Sequence, residues 1–175
     1  VLRARIHLQQ GRERLALKQL RRAYQQRPED HDLALGYVRL LVDAGRTDEA
    51  KEEMQTIHER FGEDPSVVHS LAMLAMRAGI WEHATLYLEH LVAMNARTSM
   101  ARYYLGRIAE QQGECRRALR HYLKVGQGEH QFDAKLRGAV CMARLGRIDE
   151  ARLHLERMQG RYGAEQAAAR IAMTH

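Results

Sequence analysis

Ten histidines, two cysteines and 24 arginines against only 4 lysines are the side chains of this sequence with chemistry to offer. Histidine, cysteine and carboxylate hold a transition metal when they converge, a cysteine or serine beside a base makes a nucleophile, and arginine grips carboxylate or phosphate with a planar fork. The histidines are scattered over different registers, His83 and His90 being the nearest helical pair, so no metal and no cofactor is expected. The motifs H-E-x-x-H, G-x-S-x-G and the Walker loop do not occur, and Gly126-Gln127-Gly128 is too short to cradle phosphate, which argues against an enzyme. Arginine gives a net charge of +6, spread as +5 over residues 1–30, −5 over 31–64, zero over 65–98 and +3 over each of 99–131 and 132–175. The acidic second segment interrupts any basic stripe and aromatics make up only 6% of the chain, so nucleic acid is a distant alternative as partner.

A repeat must position these side chains. Glycines 11, 45, 79, 113 and 146 follow one another at 34, 34, 34 and 33 residues, and each precedes by five residues Ala16, Ala50, Ala84, Ala118 or Ala151. An apolar stretch before each Gly and another after each Ala read as a helical hairpin, with Gly taking a left-handed backbone at the turn and Ala letting two helices approach closely. Aligned on the Gly, the units give apolar columns: Ile6, Leu40, Leu74, Ile108 and Cys141, then Leu20, Met54, Leu88, Tyr122 and Leu155, then Ala23, Ile57, Leu91, Val125 and Met158. The last two columns lie three residues apart on the second helix, as one face of period 3.6 requires. With 2 prolines in 175 residues the chain is expected to be all-α, and its longest apolar run, Leu71 to Met76, is far short of a membrane span. Cys141 falls in a core column. Cys115 shares the register of Trp81 and Ile148 at the mouth of a hairpin, partly exposed and open to modification but with no base beside it; the pattern neither requires nor forbids a disulfide between the two.

The first unit reads Ala4, Gly11, Ala16, Leu20, Ala23, Pro28 and the fourth Leu105, Gly106, Gly113, Ala118, Tyr122. This pattern resembles the tetratricopeptide repeat over essentially the whole chain. The resemblance implies a right-handed α-solenoid of stacked helical hairpins, a single superhelical array of five units at about 1–30, 31–64, 65–98, 99–131 and 132–162 with a partial sixth helix over 163–175, cut from a longer protein. It departs from the family in lacking the early aromatic of the first helix and in closing only one unit with proline, Pro28, since Pro65 is placed to open a helix after an Asp64 cap. The fourth unit is one residue short across 126–128, which predicts a kink.

In this family the first helices line a concave groove that holds a peptide. The resemblance maps that groove onto Leu35, Arg39 and Val42, then His69, Met73, Met76 and Arg77, then Tyr103, Arg107, Glu110 and Gln111, then Leu136, Val140 and Arg144. Arg5, Arg39 and Arg107 share a register that sets guanidinium groups along it, and Met73 and Met76 add adaptable apolar contact, so Met73, Met76, Tyr103, Arg39 and Arg107 are the expected anchors. The competing reading packs the Met and Leu residues between adjacent helices and leaves the arginines as a solvated face. The family's carboxylate clamp uses Lys and Asn at registers that here hold Val1, Arg5, Leu35, Arg39 and His69, so chaperone-tail binding is not expected.

The stretch Leu105–Gly126, with Ala50-Lys51 and the short fourth unit, is similar to a subset of tetratricopeptide lipoproteins of the Gram-negative outer membrane. That subset includes adaptors that bind a carboxyl-terminal processing protease and deliver cell-wall hydrolases to it. It implies a non-catalytic scaffold in the periplasm, anchored to the outer membrane through a region upstream of Val1, whose partner is such a protease or hydrolase. The alternatives are a cytoplasmic protein, a regulatory or substrate-recruiting segment of a larger enzyme, and an RNA-binding helical repeat.

Overall fold

A computed structural model describes residues 13–172, with the side chains of 14–160; Val1, Ala4, Arg5, Ile6 and Gly11 of the repeat pattern lie outside the described residues. Nine α-helices and no strand occur among the described residues. They fall into two compact units, Val1–Ala96 and Arg97–His175.

The first unit holds α1 (Glu13–Gln26), α2 (His31–Asp43), α3 (Thr47–Phe61), α4 (Pro65–Ala78) and α5 (Trp81–Ala93). In α2 the buried residues Leu33, Ala34, Tyr37, Val38 and Leu41 recur at helical spacing, so one face is apolar and must be covered. Asp30 caps this helix by accepting from the Leu33 amide at 3.1 Å. Asp64 caps α4 by accepting from the Ser66 amide at 2.8 Å, with Pro65 at the first helical position as the sequence predicts. Each helix packs on the next, and α2 also packs on α4, so successive first helices lie side by side. Met54, Ile57, Leu71, Leu88 and Leu91 are wholly buried, each contributing roughly 1.5–3 kcal/mol of burial free energy.

The second unit holds α6 (Thr98–Gln111), α7 (Cys115–Tyr122), α8 (Gln131–Arg144) and α9 (Ile148–Ala172), with α6 against α7 and α8, α7 against α8, and α8 against α9. The short fourth repeat appears as an α7 of only eight residues. Helix α9 runs unbroken across 162–163, where the repeat count places the start of a sixth helix.

The hairpin turns are built as their glycines predict. Gly45, Gly79, Gly113 and Gly146 take φ of 70°, 71°, 78° and 79°. After each, the next amide reaches back to the carbonyl five residues earlier: Arg46 to Leu41, Ile80 to Ala75 and Glu114 to Ala109 at 2.9 Å, Arg147 to Met142 at 3.0 Å. The same motif closes α5 with Asn95 at φ 56° in place of glycine, the Ala96 amide donating to the Leu91 carbonyl at 2.9 Å. Ala16, Ala50, Ala84 and Ala118 are fully buried and Ala151 is 7% exposed, as the crossing of two helices requires. Among the described residues the columns hold with two corrections, at Ala23, which is only half-buried, and at Leu155. Leu155, expected in the core, is 40% exposed, because it lies on a face of the last described helix that α8 does not cover.

Candidate functional site

On the first-helix face of the first unit, α2 and α4 carry the expected residues in a largely apolar setting. Leu35 is buried in the core, and Val42, His69, Met73 and Met76 are half-buried. Arg39 and Arg77 are exposed, and Arg77 forms an ion pair with Asp43, one helix over. The Met side chains are therefore neither fully packed nor fully exposed.

The corresponding face of the second unit is ionic. Tyr103, Arg107 and Glu110 fall at i, i+4 and i+7 on α6, and Asp133 and Arg137 at i and i+4 on α8, so both rows line the same helix seam. The Tyr103 hydroxyl donates to Asp133 Oδ2 at 2.5 Å and accepts from Arg107 Nη1 at 3.0 Å. Arg137 spans the seam, donating from Nε to Asp133 Oδ2 at 2.8 Å and from Nη1 to Glu110 Oε2 at 3.1 Å. Glu110, only 14% exposed, also accepts from the Tyr122 hydroxyl at 2.7 Å, and Arg144 Nη1 stands 3.7 Å from its other oxygen. The Tyr103 ring stacks flat on His130 with centroids 4.4 Å apart, and the Arg107 guanidinium lies 5.9 Å from the same ring.

The protonation states follow from these contacts. Burial works against ionised Asp133, but the Tyr103 hydroxyl and the Arg137 guanidinium outweigh it and hold the carboxyl below its usual range. Arg137 is held more firmly protonated by its bonds to Asp133 and Glu110. Burial and the bond to Glu110 push Tyr122 far up, so it stays a neutral donor. The network is thus a fixed set of charges, each oriented by the next.

Of the expected residues, the structure joins Tyr103, Arg107, Glu110 and Arg144. Tyr103 is buried to 7% exposure, so it positions Arg107 rather than standing free, while Arg107, Gln111 and Val140 are exposed. Asp133, Arg137 and Asp43 escaped sequence reading. The i, i+4 charge pair Asp133 and Arg137 was the available signal for two of them. Beside the network, Phe132, Leu136 and Val140 form an exposed apolar stripe at successive turns of α8, 45%, 36% and 46% exposed. Elsewhere, His58 and His90 meet across α3 and α5 with Nε2 and Nδ1 2.8 Å apart, a pairing the scatter of histidines in sequence does not reveal. Among the described residues no three His, Cys, Asp or Glu side chains group as a metal site would require, and no helix there is long and apolar enough to cross a membrane.

Sequence models of the tetratricopeptide repeat match residues 7–74 and 69–128. Cellulose synthase operon protein C of Xanthomonas axonopodis pv. citri (strain 306) is 30% identical over 127 residues, 73% of this chain and 8% of that protein. The TPR repeat-containing protein PA4667 of Pseudomonas aeruginosa is 40% identical over 57 residues, 33% of this chain and 10% of that protein. The chain therefore spans a tenth or less of these curated relatives. Among solved structures, MamA superposes with a TM-score of 0.68 at 17% identity, covering 94% of this chain and 96% of MamA, a likeness of fold.

Proposed function

The chain belongs to the tetratricopeptide-repeat family, and from that premise we propose that its first-helix faces are non-catalytic docking surfaces for a partner protein or peptide. Proteins of this family serve in general as scaffolds for protein–protein interaction. The observation that carries the reading is the second unit's face, where an exposed Arg107, oriented by Tyr103, stands on the same seam as the stripe of Phe132, Leu136 and Val140. A fixed guanidinium next to exposed apolar side chains suits a peptide bearing a carboxylate and aliphatic groups, because the charge costs little further ordering on binding. In the first unit Arg39, Met73 and Met76 give a softer face for the same purpose.

The test is affinity capture from the native cell extract with the parent protein, comparing wild type with Met73→Glu, Leu136→Glu and Arg107→Glu. Loss of a specific partner with unchanged circular dichroism supports the reading; the same proteins retained by all three variants removes both faces from consideration. The sharper form of this proposal, drawn from the outer-membrane resemblance, is an envelope adaptor whose partner is a carboxyl-terminal processing protease or a cell-wall hydrolase. It expects that enzyme among the lost proteins and the parent protein in the outer-membrane fraction. The match to cellulose synthase operon protein C favours a second reading, in which the chain is a segment of a long repeat protein serving a polysaccharide-synthesis system. That reading expects synthase subunits in the capture instead.

A further inference from the structure

The two cysteines lie in the second unit at registers the repeat fills elsewhere with apolar residues, and the groove uses neither. Cys115 opens α7, Cys141 lies near the end of α8, and both thiols are free. At the register of Cys141 the other repeats carry Leu40, Leu74 and Ile108, and at that of Cys115 they carry Trp81 and Ile148, so the hairpins need sulfur at neither place. Cys115 packs against the buried cluster that contains Cys141, where the start of α7 lies along α8. Their access to solvent is unequal. Cys141 is wholly buried, whereas Cys115 is half-buried and lines a cleft of about 540 Å³ with Arg116, Arg117, Arg120 and Arg144. A small oxidant entering from solvent meets the Cys115 sulfur first, while Cys141 is held in the buried cluster against which Cys115 packs.

We propose that Cys115 and Cys141 are a reversible redox pair, in which a hydroperoxide oxidises Cys115 and Cys141 resolves the product as an intramolecular disulfide. In the first step the Cys115 sulfur attacks the peroxide, the O–O bond breaks, and the departing alkoxide or hydroxide takes the thiol proton, leaving a sulfenic acid. In the second step the Cys141 sulfur attacks the sulfenic sulfur, the S–S bond forms, the S–O bond breaks, and the hydroxyl leaves as water with the Cys141 proton. Two thiols lose two electrons and the peroxide is reduced to an alcohol and water. Burial, with Cys115 and Glu110, pushes the Cys141 thiol up to about 11, so Cys141 stays protonated and does not compete with Cys115 for the peroxide, and it must lose its proton as it attacks the sulfenic sulfur. The inference is independent of the groove reading.

The experiment exposes the whole 175-residue chain to hydrogen peroxide, unfolds it in N-ethylmaleimide and reads intact mass. The expected product has lost two hydrogens, takes up no maleimide, yields a linked Cys115–Cys141 tryptic peptide and returns to two reactive thiols after dithiothreitol. Cys141→Ser is expected to stop at a Cys115 sulfenic acid that dimedone traps. The disulfide is expected to raise the melting temperature of the oxidised chain; Cys115→Ser, altered at the half-exposed position, is expected to leave Cys141 reduced and to show no such rise after peroxide. Uptake of two maleimides after peroxide, or disulfides only between chains, overturns the proposal.

Discussion

At the registers where the first unit places Ala72, Met73 and Met76, the second places Gly106, Arg107 and Glu110. The hairpins are the same, with the same left-handed glycine turns and the same buried alanines, yet the seam between neighbouring first helices is closed by different forces. In the first unit the seam carries half-buried thioethers, which are adaptable and impose little geometry, with an exposed ion pair, Arg77 to Asp43, at its end. In the second it is closed by a bonded set of Tyr103, Arg107, Glu110, Asp133 and Arg137, in which each group fixes the next. The repeat backbone therefore leaves the chemistry of its inner row free to vary, and a soft face and a preorganised face coexist on one scaffold.

Removing the centre of each seam should separate the two most. Glu110→Ala leaves the Tyr122 hydroxyl buried without its acceptor and Arg137 with one carboxylate instead of two, at an expected cost of about 3 kcal/mol. Met76→Ala at the same register removes only half-buried apolar contact and should cost about 1 kcal/mol. Urea denaturation of the two variants checks this, and equal losses would erase the distinction.

A smaller effect comes from helix spacing. A Cβ added at Gly106 would lie 2.5 Å from the Tyr122 ring, which its bond to Glu110 holds in place, so Gly106→Ala should destabilise by about 2 kcal/mol. Ala72 already carries that carbon in the first unit, fully buried, and Ala72→Gly should cost about 1 kcal/mol through backbone entropy. Hydrogen exchange resolved by unit should show each loss confined to its own unit; a loss shared by both would merge them.

The last expected effect is on pH dependence. Burial, reinforced by Arg117, Arg102, Arg120 and Lys124, lowers His121 in the second unit from 6.5 to about 4. The unfolded chain therefore takes up this proton first, and the stability due to neutral His121 is complete above pH 6.5 and falls as pH drops toward about 4. Burial and His90 lower His58 in the first unit in the same direction. His121→Gln should flatten the acid limb of a melting-temperature profile for the second unit alone, and an unchanged limb would show that the other groups carry it.

What the sequence discloses about this molecule is what depends on local backbone and on periodicity. Gly45, Gly79, Gly113 and Gly146 mark their turns because few other residues accept that φ, and the buried alanines and core columns follow from a repeat of fixed length. Leu155 defeats the column reading because burial needs a neighbouring helix as well as a register. The seam is half legible: the resemblance locates Tyr103, Arg107 and Glu110, but Asp133 lies 30 residues from Tyr103 and Arg137 lies 27 from Glu110, and they meet only when α8 docks. The packing of Cys115 against the cluster of Cys141 and the contact of His58 with His90 are of the same kind, visible only once helices distant in sequence are side by side.

Glu110 also says where this chain tolerates being divided. Its two carboxylate oxygens answer to donors on α7 and α8, so three helices must be present before that charge is satisfied. A piece ending in the loop after α7 would keep two well-formed helices and a nearly unshielded carboxylate without either of its arginines. The smallest sensible fragment of the second unit is therefore set by a charge balance rather than by the boundary of a repeat.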